Sequence, residues 1–486
     1  MLKKHVLKNL IVVFCCVFCL NSFGQVGIGT TMPDPSALLE INSTTQGLLA
    51  PRMTTAQRLA ISNPANGLLV YDLTENSFFF FEDNSWESMD PIKRRTKYKL
   101  VQSIADLQEE LTAGSGSSYL LQTDFLYEIN GLINFDFPIN LNGAYIEGVD
   151  SSSDVLRNNT SGALFQGSSG GGLRNLTLSG NGKQLFDISG SATDLLLINN
   201  TVIAGSSNVG TLSGLGTVFL SVTQYVGNGT GLTIDNIANF FVSNIFWTAS
   251  NTGTFMRFTG TFSNLQMNGG RIEAGNSEIG IDVSSNPTIT NDATLAQLSF
   301  VGNGTLVSRY TTGSYTGFNF TKDWNVNCSG IPTETDEVSS GNIYYGGAVV
   351  DFYSQSVTAA SGTPFSLGST NNFVASDLFR FRSADNNNDL IYEGKKSRSI
   401  QISVSISLRV YDAAGEFYAF AIAQNGSIVN ETTSLIRIDD DLQIQSVALN
   451  GVLAVNPNDR IEIFATRYNG GGTDTIRVYS QNISVR

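Results

Sequence analysis

Four charged side chains stand close together in "GGRIEAGNSEIGIDV": Arg271, Glu273, Glu278 and Asp282. Paired carboxylates are what glycosidic cleavage needs, one acting as general acid and one as base or nucleophile. A basic residue with a metal is the other route, so the lack of histidine does not exclude cleavage. If Ile272, Ile279, Ile281 and Val283 point inward along short strands, the four charges point outward and could line a glycan groove. The same residues also serve simply as surface charge that keeps a Gly-rich stack soluble. Trp247, Tyr310, Tyr315 and Trp324 are candidate platforms for sugar rings, or packing residues. Asp385, Asn387 and Asp389 in "ADNNNDL" alternate as in a calcium loop. However, the glycine expected next is Leu390 and the twelfth position is Lys396, so a surface turn fits better and calcium stays a weak possibility. The Asp439-Asp440-Asp441 run reads as a solvated turn. No other cofactor is expected.

Other chemistries are excluded by inventory. Lys3, Lys4 and Lys8, the apolar run Leu10–Leu20 and the small polar exit Asn21–Gly24 read as a secretory signal peptide over residues 1–24. The run is too short to span a bilayer, so no membrane insertion is expected after cleavage. Cleavage removes His5 and three of the four cysteines, leaving Cys328. The mature chain then has no imidazole base for a serine or cysteine nucleophile, no zinc cluster and no internal disulfide. Loss of the three lysines takes the net charge from −14 to −17. Nucleic acid and anionic membranes are therefore not expected partners.

"VGIGTT" near the new N-terminus imitates a phosphate-binding glycine loop. No strand precedes it, Pro33 and Pro35 follow, and the third glycine is missing, so the context fails. Instead "VGIGTT", "ALLEI", "GLLAPRMTTAQR" and "GLLVYDLTENSF…W" resemble an N-terminal module of secreted surface proteins of flavobacteria and segments of tail-fibre-like proteins. The resemblance implies a structural or attachment module over residues 25–95. Leu68–Tyr71 and Phe78–Phe81 predict a hairpin there. Four consecutive phenylalanines must face both sides of a strand, so both faces should be covered, by this chain or by another.

Residues 96–113 predict an amphipathic helix that caps the next domain or forms a neck. Ser103-Ile104-Ala105-Asp106 makes a capping box, and Leu100, Ile104, Leu107 and Leu111 share a face. Residues 114–335 repeat a short strand, an Asn or Gly corner and another short strand, with "VGNGT" at 226–230 and again at 301–305. That cadence predicts a right-handed parallel β-helix. Asparagine suits its corners because it tolerates left-handed backbone and hydrogen-bonds in ladders. Residues 119–156 resemble the opening coils of pectin-lyase-like proteins, without a catalytic motif.

Residues 340–486 carry long alternating strands, such as Ile400–Val410. Asn425-Gly426 and Asn450-Gly451 are placed as hairpin turns. "YEGKKSRSIQISVSISL", "FYAFAIAQNGSIV" and "VLAVNPNDRIEIFATR" resemble the terminal knobs of fibre proteins, which share the tumour-necrosis-factor-like jelly roll. The fold expected is thus all-β: a small N-terminal module, a β-helix and an antiparallel jelly-roll sandwich. The strand Phe417–Ala423 is apolar on both faces. An exposed Tyr418, Phe420 and Ile422 stripe would need a partner. Knobs of the resembled kind close around a three-fold axis, which implies a homotrimer with those residues at its seam. The function read from this is a secreted or cell-surface, fibre-like adhesion protein that binds polysaccharide or cell-surface glycan. One alternative is a polysaccharide lyase or hydrolase on the β-helix face. Another is a phage-type receptor-binding tail fibre.

Overall fold

The computed structural model describes residues 24–90, 96–347, 352–368, 372–384 and 388–486. The signal segment, apart from Gly24, lies outside the described residues, as do Asp385 and Asn387 of the calcium-like loop. The chain divides into two units, residues 1–96 and 97–486.

In the first unit the expected hairpin forms. Leu69–Asp72 pairs with Ser77–Glu82 in the register Val70 to Phe79, and Ser85–Ser88 and Arg52–Met53 complete a four-stranded sheet. A short helix, Thr55–Leu59, escaped the sequence reading; Thr54 and Gln57 close its capping box. It carries Arg58 beneath the sheet. The Arg58 guanidinium lies 3.8 Å from the centre of the Phe79 ring and pairs with Asp72 at 2.8 Å, with both side chains buried. Phe78 meets Tyr71, and Phe81 meets Trp86, edge to face. One sheet face is thus closed by a buried ion pair rather than by aliphatic core. Ahead of this sheet, Val26–Ile28 pairs in parallel with Leu39–Ile41. Of the two glycines of the opening motif, Gly27 lies inside the first strand and Gly29 makes the turn after it. Gly29 sits at φ +78°, where an added Cβ would lie 2.1 Å from the Asn42 carbonyl oxygen.

The second unit begins with a difference. Only Ile104–Leu107 (3₁₀) and Gln108–Ala113 (α) are helical, while Leu100 belongs to the strand Tyr98–Val101. That strand joins the first rung of the solenoid by pairing with Leu126–Ile129, and β-pairing there outweighs the helical spacing of the leucines. Beyond it runs a parallel β-helix with one nine-stranded and one thirteen-stranded sheet. Alternate residues fill a continuous core, from Leu107 and Tyr127 to Phe258, Phe300 and Trp324.

The corners follow the physics expected of asparagine. Asn175, Asn200, Val222, Asn244, Gly269 and Gln297 occupy one column of neighbouring rungs, all at φ between +47° and +74°. Asn200 donates to the Asn175 side-chain oxygen at 2.9 Å. Buried Asn228 and Asn251 form a second ladder: the Asn228 amide donates to Asn251 at 2.9 Å, and the Asn251 amide donates to the Tyr225 carbonyl.

The C-terminal residues form an antiparallel two-sheet sandwich. One sheet runs, in order, Phe373–Phe379, Ser340–Tyr345, Asp474–Val485, Arg398–Tyr411 and Gln445–Val455, and Tyr353–Val357 also pairs with Asp474–Val485. The other is built around Leu390–Tyr392, Arg460–Arg467 and Phe417–Gln424. Asn425-Gly426 makes the two-residue turn with φ of +52° and +77°. Asn450-Gly451 does not: both lie inside the strand Gln445–Val455, opposite Ser403 and Ile402. A long partner strand keeps the chain extended there despite the turn-like dipeptide.

Candidate functional site

The four charged residues of the β-helix do not converge. Arg271 and Glu273 end the strand Thr261–Glu273 on the larger sheet and pair with each other at 3.4 Å. Glu278 sits in the following corner, where its carboxylate accepts from the Gly275 backbone N–H at 2.7 Å. Asp282 ends Ile279–Asp282 on the other sheet and, against expectation, is buried. It accepts from Arg257 at 2.9 Å and from the Ser284 N–H and hydroxyl at 3.0 and 2.7 Å. Burial alone would raise its pKa, but these donors hold it below the usual carboxylate range. Asp282 is thus a structural cap, and only Arg271, Glu273 and Glu278 keep partial access to solvent.

The proposed platforms are largely core. Trp247, Tyr310 and Trp324 are buried, and the Trp324 indole N–H donates to the Tyr310 hydroxyl at 3.0 Å. Tyr315 is half-buried, and its hydroxyl donates to Glu393 at 3.2 Å. Cys328 is buried, and burial raises its thiol pKa, as suits a packing residue. Asp389 of the calcium-like loop is also buried, pairing with Arg460 at 3.1 Å.

The proposed seam needs correction. Tyr418, Phe420 and Ile422 point into the sandwich of their own chain and are fully buried. The Tyr418 hydroxyl donates to Asp474, which pairs with Arg467 at 2.9 Å. The strand is indeed apolar on both faces, but the large side chains face inward. The other face carries the small side chains, Ala419 beside Leu435 and Thr466 and Ala421 beside Phe464, and these alanines are themselves buried.

A feature absent from the sequence reading lies where the solenoid meets the sandwich. A cleft of about 570 Å³ is lined by Asp292, Asp323, Asp336, Arg380 and Lys395, among others. The Lys395 ammonium stands 3.0 Å from Asp292 and 4.0 Å from Asp323. Arg380 plugs the end of the solenoid from the sandwich side. It is 1% exposed and donates to the Trp324 carbonyl at 2.6 Å and the Glu334 carbonyl at 3.2 Å. Glu334, fully buried, accepts the Asn319 and Phe320 N–H groups at 2.8 and 2.9 Å; burial raises its pKa despite these donors. These residues come from segments far apart in sequence, and no local spacing announces them.

Among known families, residues 27–103 match the phage tail-like trimerisation region. No curated protein matches the chain. Two solved structures are similar over most of its length. One is the enzymatically active domain of tailspike protein 4 of bacteriophage CBA120, with 9% identity and a TM-score of 0.21, covering 89% of this chain and 77% of that one. The other is tailspike protein gp49 of the Acinetobacter baumannii bacteriophage Fri1, a capsular polysaccharide depolymerase, with 8% identity and a TM-score of 0.16, covering 90% and 98%. Neither likeness extends to the arrangement of the whole chain.

Proposed function

We propose that this chain is an exported, homotrimeric, fibre-like protein: an N-terminal trimerisation module, a β-helical shaft and a terminal jelly-roll sandwich that together bind glycans. The observation that carries the reading is the ribbon formed by Val26–Ile28 and Leu39–Ile41. Val26, Ile28 and Leu39 are 53%, 54% and 54% exposed, and Leu38, Leu48 and Leu49 nearby are more exposed still. A two-stranded parallel ribbon with its apolar side chains in water is not stable alone. Further copies of the same ribbon would cover them, and the match of residues 27–103 to a trimerisation region supports three copies. The surface of shaft and sandwich, rich in Ser, Thr and Asn, suits hydrogen bonding to sugar hydroxyls.

A second reading, polysaccharide cleavage, is favoured by the junction cleft, where Asp292 and Asp323 flank Lys395. Two carboxylates so placed could divide the acid and base roles. The test is light scattering on the intact chain together with a polysaccharide panel, read by retention, by new reducing ends and by absorbance of unsaturated products. A monomeric chain that retains no polysaccharide refutes the proposal. Release of products that stops in Asp292→Asn or Asp323→Asn establishes the second reading.

A further inference from the structure

We propose that the outer face of the six-stranded sheet of the sandwich holds a binding site for an acidic polysaccharide, with Arg409 and Arg477 gripping a uronate carboxylate. The inference rests on the glycan-binding reading above and assigns it a place and a sugar class. Arg409 and Arg477 stand directly opposite each other on the antiparallel strands Arg398–Tyr411 and Asp474–Val485. Like charges in that position repel, which the fold itself does not require. Several arginines elsewhere are neutralised, Arg257 by Asp282, Arg460 by Asp389 and Arg467 by Asp474, while others such as Arg398 stand singly. Among the described residues these two have no carboxylate within ion-pair distance. Arg409 donates to the Asp441 backbone carbonyl at 2.8 Å, and Arg477 to the Tyr411 hydroxyl at 2.8 Å. In a chain of net charge −14, two adjacent uncompensated guanidiniums form a local anion site.

The site is built rather than loose. The Arg477 guanidinium stacks on Phe352 at 3.8 Å and on Tyr411 at 4.6 Å, and Arg409 stacks on Tyr411 at 4.2 Å. These rings hold the two forks in place, so little side-chain entropy is lost when an anion binds. A bulge between Ser407 and Leu408 leaves Tyr479 as the extra residue of the facing strand and brings it to the same side, 5.9 Å from Phe352. Beyond the arginines the same face continues as a row of cross-strand pairs: Ser407 with Ser480, Ser405 with Asn482, Ser403 with Ser484. Hydroxyls and amides in register suit an extended sugar chain. Planar forks suit a planar carboxylate, which two arginines can engage through paired N–H donors.

The experiment is affinity electrophoresis of the intact chain through gels holding polygalacturonate or neutral dextran. Wild type should be retarded by polygalacturonate, less so with added salt, and not by dextran. Arg409→Gln and Arg477→Gln should each weaken retardation about tenfold, as expected for a charge-assisted contact at a partly exposed site. Molar mass and melting temperature should not change. Arg477→Lys keeps the charge and loses the fork; it serves if a glutamine variant misfolds, and should also bind more weakly than wild type. Polygalacturonate binding unchanged in all variants overturns this site and leaves the glycan reading standing, as does retardation by dextran alone. A fall in molar mass on Arg477→Gln overturns it by making the face a contact between copies. Retardation by neither gel overturns both readings.

Discussion

Val222 is the misfit of the asparagine column, and replacing it tests the account of the shaft. Its φ is +50°, between Asn200 at +47° and Asn244 at +54°. Left-handed backbone costs an L-residue about 1–2 kcal/mol, and a β-branched side chain has no local hydrogen bond to offset it. Val222→Asn should recover most of that. An amide at this position can also extend the contact seen between Asn200 and Asn175, adding about 0.5–1 kcal/mol. Against this stands the loss of a valine that is already 46% exposed, about 0.5–1 kcal/mol of burial. The net expectation is a gain of about 1 kcal/mol. Urea denaturation read by tryptophan fluorescence measures it, with Val222→Ile as the control that keeps the strain and should not gain. Long β-stacks unfold slowly, so the unfolding rate at fixed denaturant is a second readout and should fall for Val222→Asn. If the asparagine variant is no more stable than the isoleucine variant, backbone strain is not what distinguishes this corner.

Three further outcomes follow from the packing and charge of other regions. Phe420→Asp should abolish folding of the sandwich rather than dissociate an oligomer, because the carboxylate would be buried without a partner. Asp72→Asn should destabilise the N-terminal unit by about 3 kcal/mol at neutral pH by stranding buried Arg58. Burial opposes ionisation of Asp72, but Arg58, the Thr55 hydroxyl and two backbone N–H groups hold its pKa at about 2. Its contribution is therefore present above pH ~4 and lost as the pH falls toward 2, and acid unfolding of the variant should lack that step. In alkaline titration at 295 nm one tyrosine should ionise ahead of the rest. Although burial opposes it, hydrogen bonds from Arg409 and Arg477 hold the Tyr479 hydroxyl below the usual phenol range. Tyr479→Phe should remove that early step, and the stability Tyr479 contributes is present at alkaline pH and lost as the pH falls through its folded pKa.

The architecture was largely legible because it is written locally. Period-two alternation marks Ile400–Val410, and Asn and Gly recur at most of the corners where the rungs turn left-handed. The helix prediction over 96–113 was too long because Leu100 and Val101 satisfy both a helical stripe and a strand, and only pairing with Leu126–Ile129 decides between them. The seam was misplaced for a related reason. A strand apolar on both faces does not say which face is inside; Asp474, which accepts the Tyr418 hydroxyl, and Arg467, which pairs with Asp474, arrive from other strands. The pairing of Arg409 with Arg477, and of Lys395 with Asp292 and Asp323, depends on non-local register that no spacing encodes. Asp282 misled because outward alternation does not reveal that a neighbouring rung's Arg257 will cover it.

The nine-stranded face of the shaft has a consequence for how such a molecule changes over time. Rungs touch only their neighbours and are spaced about 4.8 Å apart, so that face spans roughly 40 Å. The closures at its ends, the helix Gln108–Ala113 at one and the Arg380 plug at the other, do not depend on how many rungs lie between. Duplication or loss of one coil would therefore lengthen or shorten the reach in fixed steps while both termini stay sealed. The distance between the two ends of the solenoid is in this sense digital, adjustable by counting rather than by redesign.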